Sequence, residues 1–238
     1  MLIIPDVHGR SFWKNAVKGR EDEEMIFLGD YVDPYSSLEG IYPWEGYVSL
    51  KEIVEFKKEH ESNVTLLLGN HDLSYITNYV YECRHDYENH DEIKCLIKDN
   101  ISLFKIAHKK IIKGKRYVFS HAGILPRWVT NIKAIFESIP KGFDVDVLNE
   151  LFFSEELYEA LGDVSPYRGG RETAGSPVWA DAAEHRDAIK YIEDDIQTEV
   201  FQIFGHTQQM SGQPVITPYY ACLDCRRAFE LDENGKIK

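Results

Sequence analysis

Long apolar runs are missing from this chain of 238 residues. None approaches the roughly 20 residues of a membrane-spanning helix, so no membrane is expected among its partners. The N-terminal run Leu2-Ile3-Ile4 is too short for a secretory signal and lacks a basic flank. Cysteine is scarce. Four thiols in a chain of this length make no disulfide framework, and the expected setting is reducing and cytoplasmic. Cys222-Leu-Asp-Cys225 has the spacing of half a zinc site, but Cys83 and Cys95 do not complete it, so the cysteines read as buried free thiols. Positive charge is in deficit, with a net charge of −13. That excludes nucleic-acid backbone as the main partner, and admits a small anionic substrate only where cations gather at one site. Repeats, low-complexity tracts and obvious linkers are also lacking. With 43% apolar residues, the chain reads as a single domain over residues 1–238.

What is present is one event repeated. Short apolar runs each end in a small residue followed by a metal-capable side chain. Leu2–Ile4 leads to Asp6 and His8. Met25–Leu28 leads through Gly29 to Asp30 and Asp33. Val64–Leu68 leads through Gly69 to Asn70 and His71. A hairpin over 109–119 turns at Lys113-Gly114-Lys115 and ends in Ser120-His121. Val200–Phe204 leads through Gly205 to His206. Between these runs lie helical patterns: one capped by Ser11 and running to Lys18, and one over Gly46–His60 with Val48, Ile53, Val54 and Phe56 inward. Residues 74–105 read as a helical excursion in which Tyr75, Tyr79, Tyr81, Tyr87, His85 and His90 form a packing face. Asp86, Glu88, Asp91 and Glu92 form its solvated face. Residues 126–175 read as helix and loop, and Pro214–Ile216, Tyr220–Leu223 and Ala228–Leu231 as closing strands. Strands alternating with helices make this an α/β protein.

In such sheets the carboxyl ends of the strands share one edge, where ligands bind. Side chains far apart in sequence therefore converge there. Buried carboxylates need positive partners. Carboxylates, an amide oxygen and imidazoles together suit Mn, Fe or Zn better than Mg or Ca. The set exceeds the need of one ion. Two ions sharing a bridging carboxylate fit it, and such pairs activate water for in-line attack on phosphorus.

Asp6-Val-His8-Gly, Gly29-Asp-Tyr-Val-Asp33, Gly69-Asn-His-Asp72, Ser120-His-Ala-Gly123 and Gly205-His-Thr207 resemble, in order, the motifs of the calcineurin-like metallophosphoesterases. They are most similar to the branch holding the serine/threonine phosphoprotein phosphatases and the bacterial dinucleotide tetraphosphatases. The resemblance implies a four-layered sandwich of two mixed sheets flanked by helices, with two divalent metals, manganese first among them. It implies Asp6, His8 and Asp30 on one metal, and Asp30 as bridge with Asn70, His121 and His206 on the other. It implies His71 as general acid, oriented by Asp33. An imidazole titrates near neutral pH and suits that task.

Three departures are instructive. The branch carries arginine directly after the second aspartate of Gly-Asp-x-x-Asp, where this chain has Pro34. Its Gly-Asn-His-Glu is Gly-Asn-His-Asp here. Gln208 stands where many relatives outside the branch have a final histidine. Val178-Trp-Ala-Asp181 loosely resembles a Leu-Trp-Ser-Asp segment of the protein phosphatases. With Pro34 unable to hold phosphate, the expected guanidinium is Arg171, with Arg168 and Arg10 as the other candidates; Gly169-Gly170 let that loop approach. A phosphomonoester, on a protein or a small molecule, and a dinucleoside polyphosphate both fit as substrate. A metal-binding module without catalysis is the competing class.

Overall fold

The computed structural model describes residues 1–137, 144–152, 154–189 and 200–238. The strands are β1 (Leu2–Ile4), β2 (Met25–Phe27), β3 (Val64–Leu67), β4 (Phe104–Lys105), β5 (Ala107–Ile112), β6 (Lys115–Ser120), β7 (Val200–Phe204), β8 (Val215–Ile216), β9 (Tyr220–Cys222) and β10 (Phe229–Glu230). The helices are α1 (Phe12–Val17), α2 (Ser36–Glu39), α3 (Pro43–Glu59), α4 (Asn70–Leu73), α5 (His90–Asp99), α6 (Pro126–Asn131), α7 (Lys133–Glu137), α8 (Val145–Glu150), α9 (Glu155–Leu161) and α10 (Ala182–Ile189).

Two mixed sheets result, ordered β10-β1-β2-β3-β4 and β5-β6-β7-β9-β8. In the first, β1 to β4 are parallel and β10 joins β1 antiparallel. In the second, β6, β7 and β9 are parallel, with β5 and β8 antiparallel at the edges. Alternation along the strands divides the core. Ile3, Ile26, Leu28 and Leu67 meet Phe119, Ile203, Ala221 and Leu223 between the sheets. Leu2, Ile4, Met25, Phe27 and Leu66 turn outward against Trp13, Leu50, Ile53, Val54, Ile93 and Ile97 of α1, α3 and α5. On the second sheet, Phe204 and Tyr220 lie against His185 of α10. Strands buried on both faces explain why their sequences read as unbroken apolar runs.

The helices correct several expectations. Ser11 stands at the N-cap of α1, but its side chain makes no capping hydrogen bond. Helix α3 begins at Pro43, whose fixed φ and missing N–H suit a first helical position, and the Tyr42 N–H bonds Glu45 Oε2 at 2.7 Å. Its inward face is Leu50, Ile53 and Val54, beside the small Gly46 and Ser49, while Val48 is exposed. The excursion over 74–105 is helical only in α5 and a 3₁₀ turn at Ile101–Leu103; residues 74–89 are turns. Part of the expected packing face forms: buried Tyr75 stacks on His85, which also meets His90 and Tyr87, whereas exposed Tyr79 and Tyr81 reach Glu155 and Trp179 instead. Asp86 is buried, its carboxylate receiving the N–H groups of Glu88 and Asn89; Glu88, Asp91 and Glu92 remain solvated. The expected helix and loop over 126–175 hold α6 to α9, with residues 138–143 and 153 outside the described residues. All four cysteines are free, Cys222 and Cys225 buried but Cys95 exposed. Among the described residues no helix is long and apolar enough to cross a membrane.

Candidate metal centre

The motifs converge where the carboxyl ends of β1, β2, β3, β6 and β7 meet. Two backbone approaches make this possible. A Cβ on Gly69 would stand 2.0 Å from Asp30 Oδ1, and one on Gly205 would stand 1.9 Å from Asp6 Oδ1. Both carboxylates thus pack directly on glycine backbone. The chain bends sharply at the strand ends: His8, Asp30, Asp33 and His206 all have positive φ, between 45° and 59°. Left-handed backbone is disfavoured for residues with a Cβ, and its clustering here marks a site whose geometry outweighs local preference.

Asp30 lies at the centre. Its Oδ2 is 3.5 Å from His8 Nε2, 3.3 Å from His121 Nε2 and 4.0 Å from His71 Nε2. Its Oδ1 accepts the His71 N–H at 3.1 Å. Burial opposes its ionisation, but His121 and His71 together hold its carboxyl well below the usual range. His121 is pushed up to about 9 against the effect of burial, chiefly by Asp30. Burial takes His8 and His206 well below the ordinary imidazole value, and raises Asp6 to about 6. Asp6 receives the His206 N–H at 2.9 and 3.1 Å. Asp72 was not anticipated as part of the frame. Its Oδ2 accepts the N–H groups of Asp30 and Gly69 at 2.7 and 2.8 Å, and its Oδ1 that of Tyr31 at 2.9 Å. It therefore ties the ends of β2 and β3 together, which explains the acidic residue after Asn70-His71.

The donor set fits metal ions. His8 and His121 each spend Nδ1 on a carbonyl, of Val32 at 2.7 Å and of Leu28 at 2.8 Å, which turns both Nε2 atoms toward Asp30. His121 Nε2 also faces Asn70 Oδ1 and His206 Nδ1, each at 3.1 Å. One proton on that nitrogen serves one neighbour, whereas a cation coordinated by the same atoms satisfies all of them. His206 Nε2 is buried without a hydrogen-bond partner among the described residues. Among the described residues two groups have ligand atoms mutually within 4.8 Å: His8, Asp30 and His71, and Asp30, His121 and His206. Asp30 belongs to both, as a bridging carboxylate would. The first group contains His71 where the motif resemblance implies Asp6. A guanidinium stands 3.2 Å from His71 Nε2, however, and disfavours a second cation at that nitrogen.

His71 Nδ1 is 2.8 Å from Asp33 Oδ2, and the hydroxyl of Tyr75 donates to Asp33 Oδ1. The backbone N–H of Asp86 in turn bonds that hydroxyl at 2.8 Å. Sequence reading missed Tyr75 as part of the His71–Asp33 unit, because the loop that carries it has no period. Tyr75→Phe removes one of the two groups fixing Asp33. The expected result is a roughly tenfold fall in kcat on alkyl phosphates with KM unchanged. A lowered Tm with kcat intact would make Tyr75 structural only.

The three arginines marked in the sequence occupy different surroundings. Arg10 is buried and bonds both carboxylate oxygens of Glu39, at 2.7 and 2.9 Å. Arg168 pairs with Asp181 at 2.7 Å and donates to Thr207 Oγ1 at 2.9 Å, beside His206. Arg171 is exposed and makes no ion pair among the described residues. The guanidinium at His71 belongs to Arg84, which no sequence motif marked.

The fold has known counterparts. The cold-active protein-tyrosine phosphatase of a psychrophilic Shewanella is similar across the whole of this chain and 78% of its own, at 14% identity with a TM-score of 0.52. A second structure of a cold-active protein tyrosine phosphatase covers all of this chain and 77% of its own, at 15% identity with a TM-score of 0.55. These likenesses are of fold. In sequence, 137 residues are 28% identical to the symmetrical bis(5'-nucleosyl)-tetraphosphatase of Buchnera aphidicola from Schizaphis graminum, over 54% of this chain and 46% of that protein. The chain thus matches about half the length of that relative. The profile of the calcineurin-like phosphoesterases matches residues 1–210, and the chain belongs to that family.

Proposed function

We propose that this protein hydrolyses phosphate monoesters with the help of two divalent cations, manganese first among them. The observation that carries this reading is Asp30, shared between two groups of buried ligands beside an imidazole that touches a carboxylate. Asp6, His8 and Asp30 would hold one ion, and Asp30, Asn70, His121 and His206 the other. Bound there, the ions supply Lewis acidity and an activated water at neutral pH. The chain's own residues do the rest. His71, held by Asp33 through Nδ1, presents Nε2 to protonate the departing oxygen. Asp72 keeps the ends of β2 and β3 in register, so that Asp30 and His71 stay in place. The cytoplasm is the expected compartment, and phosphorylated proteins or small phosphate esters the expected substrates.

A second reading, hydrolysis of dinucleoside polyphosphates, is favoured by the similarity to the symmetrical tetraphosphatase. The aromatic residues beside the second group also suit a base. Trp179 lies 5.7 Å from the His206 ring and Tyr81 6.5 Å from Trp179.

Protein stripped with chelator and reloaded with manganese is expected to hold about two ions per chain and to release phosphate from p-nitrophenyl phosphate. Side-by-side assay of a phosphoserine peptide and diadenosine tetraphosphate then separates the two readings. Full metal occupancy without turnover of any ester would leave a metal-binding module and end both.

A further inference from the structure

Phosphoryl transfer spreads negative charge over the equatorial oxygens, and fixed cations at those oxygens stabilise it. A useful cation faces the site, is held in place, and keeps donors free for the ligand. Arg10 has given its fork to Glu39, and Arg168 is paired with Asp181. Arg171 is held by no ion pair among the described residues. Arg84 meets all three conditions. Its guanidinium lies 3.7 Å over the ring of Tyr35. Its Nε donates to the carbonyl of Asp33 at 3.3 Å, and its Nη2 is 3.2 Å from His71 Nε2. Tyr35 itself stands edge-on to His8, with ring centroids 5.3 Å apart, so the arginine is stacked on the wall of the metal centre. The residue remains open to solvent, and its φ of 52° is the left-handed strain seen also at His8, Asp30, Asp33 and His206.

We propose that Arg84, stacked on Tyr35, is the residue that grips the substrate's phosphate on the His71 side, taking the place that the sequence assigns to Arg171. This rests on the hydrolase reading for its substrate, though not for its geometry. With no phosphate bound, an Nη2–H of Arg84 is directed at the Nε2 lone pair of neutral His71, whose Nδ1–H is given to Asp33. An entering phosphate oxygen takes over that N–H, which frees Nε2 to accept a proton from solvent and pass it to the leaving oxygen. The P–O bond to the leaving group breaks as water oxygen bonds to phosphorus; the water releases one proton to solvent, and the proton from Nε2 ends on the departing alcohol. Arg84 keeps all its protons throughout. Pro34, which follows Asp33 directly, does not compete for this position, because it has neither charge nor N–H.

The test is calorimetric titration of inorganic phosphate into the manganese-loaded wild type, Arg84→Ala, Arg84→Lys and Arg171→Ala, with metal content measured on each. Arg84→Ala is expected to keep its metals and bind phosphate about tenfold to a hundredfold more weakly. It should also lose turnover on p-nitrophenyl phosphate. Arg84→Lys is expected to restore less than half of the lost affinity in logarithmic terms, because an ammonium neither stacks on Tyr35 nor forks to phosphate. Tyr35→Ala should weaken phosphate binding in the same direction. Unchanged phosphate affinity in Arg84→Ala, or a loss confined to Arg171→Ala, overturns the assignment. Failure of the wild type to turn over any ester would end the hydrolase reading while weakened phosphate binding in Arg84→Ala still sustained the clamp.

Discussion

Asp30→Asn is expected to lose both metal ions and at least about three decades of turnover. Asp30 is the one carboxylate common to both ligand groups, and its Oδ2 faces His8, His71 and His121 within 4.0 Å. The amide has the same shape but no charge, and one of its two ends becomes a donor facing nitrogen atoms that should be lone pairs. Each metal position then has one anionic ligand fewer among buried imidazoles, in a site where burial already penalises every charge. The ions supply several kcal/mol of transition-state stabilisation, which at about 1.4 kcal/mol per decade sets the size of the loss. Elemental analysis after equilibration with manganese and a p-nitrophenyl phosphate assay would measure both effects on the same sample. Its circular dichroism should stay that of the wild type, since the strands are held by the apolar contacts on both faces. Full activity in this variant would refute the bridging role.

His71→Asn is expected to separate chemistry from metal binding. The two metals should remain, because Arg84 at 3.2 Å already places a positive charge beside His71 Nε2. General-acid catalysis is worth roughly two to four decades, and it matters most when the leaving oxygen is strongly basic. Alkyl phosphates should therefore lose that full factor, while aryl phosphates, whose leaving group departs with little protonation, should lose much less. Equal losses on both classes would count against proton donation. Loss of one metal would instead make His71 a ligand, as its place in the group with His8 and Asp30 allows. Asp33→Asn should follow the same pattern more weakly, since the imidazole would lose its anionic partner at Nδ1 but keep Nε2.

How far the sequence reached depended on the range of the physics involved. Met25–Phe27 was legible as a strand because both its faces are buried, so hydrophobic character continues without alternation, and Val64–Leu67 and Val200–Phe204 because only Thr65 and Gln202 interrupt their apolar runs. The residues after them were legible because buried carboxylates and imidazoles at successive strand ends have no stabilising use unless they meet. The loop over 74–89 was misread as helix. Its Tyr75, Arg84 and Asp86 take their roles from the partners Asp33, His71 and the N–H groups of Glu88 and Asn89, and none of these is announced by spacing. The arginines were illegible for the same reason: Arg10, Arg168, Arg171 and Arg84 are alike as letters, and differ in what stands beside them in space, Glu39 at Arg10, Asp181 at Arg168, and Tyr35 and His71 at Arg84.

By itself the sequence determined the α/β class and the strand ends that carry Asp6, His8, Asp30, Asn70, His121 and His206, while the pairing of His71 with Asp33 was implied by the motif resemblance. The class and the strand ends follow from local apolar runs and from the cost of burying charge, and both are written in residue order. Tertiary structure alone decided that His71 stands with His8 and Asp30 in one ligand group, that Asp72 clamps β2 to β3, that Tyr75 supports Asp33, and that Arg84 stands over Tyr35 at His71. Each of those depends on angstrom-scale distances between segments tens of residues apart. Such distances are set by how the two sheets pack and how the strand ends bend, and no local pattern encodes either.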